Sequence, residues 1–371
     1  MTGRFIGSYL HAWRIAGNEH SYWMCHSGAR DIRKKPGTSS AAARQIPSFM
    51  RLVLSIPSVA YRAAGAVPEH IARMLGIPAG TPVIPGGHDT CLSHIPVMAT
   101  FFGSVPGMKG KPVIQVEAGS WTLVARIGGR AALPPDGWRL DVIVQGTVDG
   151  EPVVTARYGG GNDFKEAKRL IESAGGVFQT GHDEDLVREI STRAESFVIP
   201  NLSPANHGTG PFPGLRGRIV NERALVGTPG AAHITTSIAT ALSAAMQVAA
   251  VMDDPSTPLV ITAGGAKDPY YGRLVATFTG RAVYAPFGRD GAPLSETTSL
   301  GAAIAGKAAA LDIHLYGVNT SKLGVTYRDV DTYRGATAEA LESYREALIR
   351  PLGKKYTTNV PRTLQTLEEC C

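Results

Sequence analysis

The sequence is poor in cysteine: four in 371 residues, Cys25, Cys91, Cys370 and Cys371, with no Cys-x-x-Cys pair. That argues against a disulfide framework and points to a reduced, cytoplasmic protein. The polar group His20, Cys25 and His26, with His88 and His94 further on, matches no standard zinc spacing, so no metal is expected there. Long apolar runs are missing as well. None reaches the roughly 18 residues that would suggest a membrane span. His233–Met252 comes nearest, but its apolar side chains are mostly alanine, interleaved with Thr, Ser and Gln, as in a buried core helix. The opening MTGRFIGSYLHAW lacks the apolar core of a signal peptide. Aromatic residues make up 7%, and the net charge of +6 is spread along the chain, with one short cluster at Arg30–Lys35. A nucleic-acid partner, which calls for a basic face, is therefore not expected.

What is present is an ordinary globular balance, 43% hydrophobic and 18% charged, with 43 glycines. The length allows two domains. That much glycine suits an α/β protein with tight turns and close backbone–ligand approaches. Residues 1–65 are polar and turn-rich and predict little regular structure. A helix is expected at Pro68–Leu75, with Pro68 in the first turn and Gly76 as its stop. A short buried strand, Thr81–Pro85, then leads into Gly86-Gly87-His88-Asp89 and a helix over Cys91–Thr100. Further strands are expected at Val113–Val116, Thr122–Ile127, Asp141–Gln145 and Val153–Arg157, with Asp149-Gly150 as a hairpin turn. Helices follow at Phe164–Ser173 and Asp183–Ser191, then a Pro/Gly-rich loop at Asn201–Gly217 and the long helix His233–Met252. Strand Pro258–Ala263, the turn Gly264–Asp268 and helix Pro269–Thr279 come next. The expected order ends with strand Ala282–Ala285, an alanine-rich helix over Glu296–Leu311 capped by Ser295, and helix Ala336–Ile349.

Three glycine-bearing turns follow strands: Gly86–Asp89, Gly119-Ser120 and Gly264–Asp268. In open α/β sheets, ligands bind beyond the carboxyl ends of strands. Taken singly, such a turn is ordinary turn chemistry. Asp89 alone also reads as an N-cap for the following helix, a role compatible with others. Gly119 leaves its backbone open to close approach, and Ser120 adds a hydroxyl. Gly264 and Gly265 let the chain pass where a Cβ would clash, and Ala266, Lys267 and Asp268 open the next helix. Lys267 alone reads as a solvated lysine, Trp121 as a core residue, and Glu296 as a helix-start acid that favours the dipole.

Taken together, these stretches resemble the FGGY carbohydrate-kinase family. GTPVIPGGHDT resembles its strand and catalytic turn, closest to the rhamnulokinase- and fuculokinase-like branch. EAGSWTL is similar to its phosphate-contacting turn, with Ser120 where Thr is usual, and VDGEPVVTARYGGGNDF resembles a stretch of the same branch. ITAGGAKDPYYGRLVATFTGRAVY resembles its adenosine-binding turn and helix, with Asp268 where many members have Asn, and SETTSLGAAIAG its late Ala/Gly helix. The resemblance runs in order from about residue 65 to about residue 310. It implies a two-lobe, actin-like (ribonuclease H-like) α/β fold. It also implies ATP-dependent phosphorylation of a sugar, a ketose such as a deoxy-ketohexose or a pentulose.

On this resemblance Asp89 is the catalytic base, since a sugar hydroxyl needs a carboxylate within hydrogen-bond reach and an unperturbed aspartate is ionised at neutral pH. His88 and Asp89 contact the sugar. Gly119, Ser120, Gly264, Gly265, Ala266, Lys267 and Asp268 hold ATP. The family's Asp-x-Gly-Thr turn, which wraps phosphates and helps hold Mg²⁺, has no counterpart in the chain. The expectation is therefore a truncated first lobe, with the Mg²⁺ carboxylate in the missing segment. The domains expected are a remnant of that lobe over 1–108, the C-terminal kinase lobe over 109–350 and a tail over 351–371. A non-catalytic nucleotide-binding or dimerisation module is the alternative. The expected partners are sugar and ATP, with no nucleic acid and no membrane; a homo-oligomer is left open.

Overall fold

The computed structural model describes residues 63, 65–84, 89–129, 140–149, 151–179, 184–204, 210–212, 214–252 and 254–350. Along the chain the elements are β1 (Gly65–Ala66), α1 (Glu69–Leu75), β2 (Pro82–Val83), α2 (Asp89–Pro96), a π-turn over Val97–Phe101 and α3 (Phe102–Ser104). Then come β3 (Val113–Ala118), β4 (Thr122–Ile127), β5 (Val142–Gly146), β6 (Pro152–Tyr158), α4 (Gly160–Ser173), α5 (Glu184–Arg193), β7 (Phe197–Ile199) and β8 (Arg218–Val220). The series closes with α6 (Glu222–Gly227), α7 (Ala231–Val251), β9 (Leu259–Ala263), α8 (Pro269–Thr279), β10 (Val283–Phe287), α9 (Thr297–Leu311), β11 (Thr326–Asp329) and α10 (Gly335–Ile349).

The chain divides into two compact units. One gathers the described residues up to Lys109 with Val144–Val153 and Glu296–Thr326; the other gathers those of Gly110–Ile143 and Val154–Ser295 and the described residues from Tyr327 on.

In the first unit, α2 and α9 form the centre. Cys91, Leu92 and Ile95 pack with Ile304, Ala305 and Ala308. The two helices come very close at Gly301, where an added Cβ would lie 1.9 Å from the Leu92 carbonyl oxygen. Pro96, four residues on from Leu92, brings no N–H to that carbonyl, and beyond Pro96 the helix widens into the π-turn. The expected strand over Thr81–Pro85 needs correction. Only Pro82–Val83 is strand, it is exposed, and it pairs solely with β1, so no second neighbour buries it among the described residues. The cap of α9 is also corrected: the helix starts one residue later than expected, at Thr297, leaving Glu296 rather than Ser295 in the cap position.

A mixed sheet has the order β11-β10-β9-β3-β4-β6-β5, and its strands β10, β9, β3 and β4 lie wholly in the second unit. β10, β9 and β3 run parallel, and β3, β4 and β6 alternate. Alternate sheet residues Ile114, Val116, Val154, Ala156, Leu259 and Ile261 share one core with Ile234, Ile238 and Leu242 of α7. Nineteen of the 21 residues of α7 are buried, including several hydroxyls. These are tolerated because they bond back to their own helix: Thr235 Oγ1 donates to the Ala231 carbonyl (2.7 Å), Thr236 to Ala232 (2.7 Å) and Ser243 to Ala239 (2.9 Å). Among the described residues, α7 alone is long and apolar enough to cross a membrane by length and composition, and most of it lies inside the fold.

Candidate functional site

β3 and β4 are consecutive strands joined by the three-residue turn Gly119–Trp121, closed by the Gly119 N–H donating to the Trp121 carbonyl at 3.0 Å. Trp121 is 36% exposed rather than part of the core, because it sits past the last ladder pair, Ala118–Thr122. β9 lies on the other side of β3, with Ala118 opposite Ala263, so the turn following β9 begins beside the hairpin. That second turn is a single 3₁₀ turn, Gly264–Lys267. It is entered through Ala263, whose φ of 60° and ψ of −142° lie in territory that is strained for a residue with a Cβ. Glycine is required at Gly265, where a Cβ would stand 2.7 Å from Ala118 Cβ.

A third piece was not anticipated. α4 begins at Gly160, four residues earlier than the Phe164 start read from the apolar spacing. Its first glycines press on the hairpin. A Cβ at Gly161 would meet the Gly119 carbonyl oxygen at 2.1 Å and Ser120 Cα at 2.9 Å, and the Asn162 N–H donates to the Ser120 carbonyl at 3.1 Å. The start of α4 is fastened from below. The buried Asp163 carboxylate accepts from the Tyr158 hydroxyl, the Asn201 N–H (2.7 Å) and the Ser203 N–H (2.8 Å). Burial raises the Asp163 pKa above the ordinary carboxylate value despite those bonds, and burial, then the Asp163 charge, raises that of Tyr158.

These pieces enclose a cavity of about 700 Å³. Gly119, Ser120, Gly264, Gly265, Lys267 and Asp268 line it, so two turns far apart in sequence meet at one space. Ala266 is buried and is not part of the lining. Residues missed in the sequence reading also face the cavity: Gly160, Gly161, Phe164, Lys165, His233 and Tyr270 among them. A second glycine pair opening a helix was the available signal for Gly160 and Gly161; His233, inside an alanine-rich core helix, offered none.

Asp268 does two jobs in the cavity wall. Its Oδ1 caps α8, accepting from the N–H groups of Tyr270 (2.9 Å) and Tyr271 (3.3 Å). Its Oδ2 lies 3.6 Å from His233 Nε2. Phe164 and Phe178 meet the His233 ring edge-on at 5.4 and 5.8 Å. Burial among them lowers the His233 pKa, and the Asp268 charge opposes that shift without cancelling it. His233 is thus neutral at pH 7.

Asp89 stands in the other unit, exposed, as the first residue of α2. Its Oδ1 accepts from the Thr90 N–H at 2.8 Å and from Thr90 Oγ1 at 3.4 Å. The Thr298 hydroxyl of α9 donates to the Asp89 carbonyl at 3.3 Å, tying the helix start in place. His88 lies outside the described residues, as do His20, Cys25 and His26. Among the described residues no group of three His, Cys, Asp or Glu side chains is placed to hold a metal.

Comparison with known proteins gives the family context. Residues 110–312 match the family described as carbohydrate kinase FGGY, C-terminal domain. No curated protein matches the chain. Among solved structures, a carbohydrate kinase from Novosphingobium aromaticivorans aligns with a TM-score of 0.62 at 19% identity, over 89% of this chain and 64% of that one. Ligand-bound xylulose kinase from Lactobacillus acidophilus gives 0.58 at 15%, over 88% and 61%. Gluconate kinase from the same organism gives 0.54 at 13%, over 86% and 60%. The chain therefore spans less than two thirds of the length of each. The shared architecture is the α/β, mixed-sheet fold of the actin-like ATPases.

Proposed function

We propose, from the premise that this chain belongs to the carbohydrate kinase FGGY family, that it contributes to ATP-dependent phosphorylation of a sugar hydroxyl. The observation that carries the reading is the meeting of the Gly119-Ser120 and Gly264–Asp268 turns on one cavity, where a Cβ at Gly160, Gly161 or Gly265 would clash with the wall. Such a space suits a nucleotide. Its phosphates would lie against the Gly119-Ser120 turn, and its nucleoside would lie against the Gly264-Gly265 turn and the aromatic wall. Gly119, Ser120, Gly264, Gly265, Lys267 and Asp268 are the ATP-binding residues in this reading. Ala266 supports the turn from behind.

Asp89 is the proposed base, supported by its exposed carboxylate and its fixed helix start. It takes the proton of the attacking hydroxyl as that oxygen bonds to the γ-phosphorus, while the bond from phosphorus to the β-phosphate oxygen breaks and ADP leaves. His88 is proposed to contact the sugar. Mg²⁺ would enter with the ATP phosphates and neutralise their charge. A ketose such as a deoxy-ketohexose or a pentulose is the proposed acceptor, on the likeness of GGHDT to the rhamnulokinase- and fuculokinase-like branch.

A coupled assay of ADP release across a panel of ketoses and polyols tests the reading. Sugar-dependent ADP release is expected, and Asp89→Asn should reduce it at least about 10³-fold while nucleotide affinity stays unchanged. Turnover within tenfold of the parent would remove Asp89 from the role. Nucleotide binding with no turnover on any sugar would favour a non-catalytic module.

A further inference from the structure

Two of the cations on α4 are paired at ordinary helical spacing. Arg169 pairs with Glu166 at 2.6 Å, three residues back, and Lys168 with Glu172 at 3.8 Å, four residues on. Lys165 differs. One turn before it stand Gly161 and Asn162, and one turn after it Lys168 and Arg169, so its helix offers no carboxylate. None of the ion pairs among the described residues includes it. Its Nζ instead donates to Ser120 Oγ at 3.1 Å, and both groups line the cavity. Helical side chains lean toward the N-terminus. From the second turn of α4, Lys165 therefore reaches back over Gly160 and Gly161 to the hairpin. A cation near a helix N-terminus opposes the macrodipole and costs stability. Here the cation stands at that end without an ion pair among the described residues.

We propose that Lys165, tethered by Ser120, is the cation that binds the phosphate chain at this cavity; the inference rests on the nucleotide reading above. The hydrogen bonds have a direction. Lys165 donates to the Ser120 oxygen, which leaves the hydroxyl proton to be donated onward, and polarises it. One ammonium and one hydroxyl therefore converge on the same phosphate oxygens, giving charge-assisted bonds that a nucleoside alone does not receive. Lys165 makes the site a polyphosphate site rather than a nucleoside site.

The test is calorimetric binding of ATP, adenosine and inorganic tripolyphosphate to the full chain, its Lys165→Gln and Lys165→Arg variants, and Gly227→Ala as a distant control. Thermal melting of each variant is measured in parallel. Lys165→Gln is expected to weaken ATP and tripolyphosphate roughly 10- to 100-fold and leave adenosine unchanged, while Lys165→Arg recovers most of the loss. Unchanged tripolyphosphate affinity in Lys165→Gln overturns the inference, and so does an equal loss of adenosine, which would mark a structural role. If the parent chain binds tripolyphosphate through Lys165 but neither ATP nor adenosine, the nucleotide reading fails and the anion site stands. If it binds adenosine but not tripolyphosphate, the anion site fails and the nucleotide reading stands.

Discussion

Gly161→Ala adds one methyl group at the tightest contact of the cavity wall. The new Cβ would lie 2.1 Å from the Gly119 carbonyl oxygen and 2.9 Å from Ser120 Cα, both backbone atoms that cannot rotate aside. Helix and hairpin would have to part by about 1 Å to clear it. Overpacking of this kind costs about 1–3 kcal/mol. The bond from the Asn162 N–H to the Ser120 carbonyl, now 3.1 Å, would be lost in the same movement, at about 0.5–1.5 kcal/mol. Together that is about 2–4 kcal/mol, or about 5–15 °C in melting temperature for a domain of this size. The control is Gly227→Ala, in a helix with nothing within 4 Å of the added Cβ; removing a glycine there should be neutral or stabilising by up to about 1 kcal/mol. Urea melts of both variants measure the difference, and ATP titration should show Gly161→Ala binding at least tenfold more weakly. If the two variants melt together and bind alike, the packing of α4 on the hairpin is not what shapes the cavity.

Three further perturbations probe the same wall. Ala263→Gly should stabilise the chain by up to about 2 kcal/mol, because relief of about 1–3 kcal/mol of backbone strain outweighs the entropy of a new glycine; a destabilised variant in urea melts would show that Ala263 is not strained. Asp268→Ala should cost about 1 kcal/mol of stability through loss of the α8 cap, while Asp268→Asn, which keeps an acceptor, should melt close to the parent; equal losses in both would contradict the capping role. The His233 ring should titrate by NMR below the ordinary imidazole value of 6.5, since burial outweighs the Asp268 charge. A histidine with a depressed folded pKa contributes stability present above 6.5 and lost as pH falls through the folded value. His233→Gln should therefore flatten that acid-side slope, and a midpoint above 6.5 would mean that the Asp268 pairing dominates.

How far the chain could be read in advance varied with the physics of each element. α8 was placed residue for residue, because Pro269 follows a capping Asp268 and Gly280 adopts the left-handed conformation that ends it. The hairpin and β9 were legible from short β-branched runs bounded by glycine. β7, β8 and β11 were not, because strands of three or four residues carry too few alternations to register as a period. The resemblance assigns both glycine turns to one nucleotide, but the pairing that brings them together, Ala118–Ala263 across some 145 residues, is encoded by no local pattern. His233 stayed hidden because its helix is buried on nearly every side, so no polar face marked it out.

That burial of α7 has a consequence for how the protein fails. The hydroxyls of Thr235, Thr236, Thr240 and Ser243 donate to the helix's own backbone, so the helix depends on its surroundings mainly for shelter from water. A mutation or cleavage that loosens the sheet would release a 21-residue segment with the apolarity of a membrane span. Damaged molecules of this protein should therefore be lost to precipitation or chaperone capture rather than persist as soluble, partly folded chains.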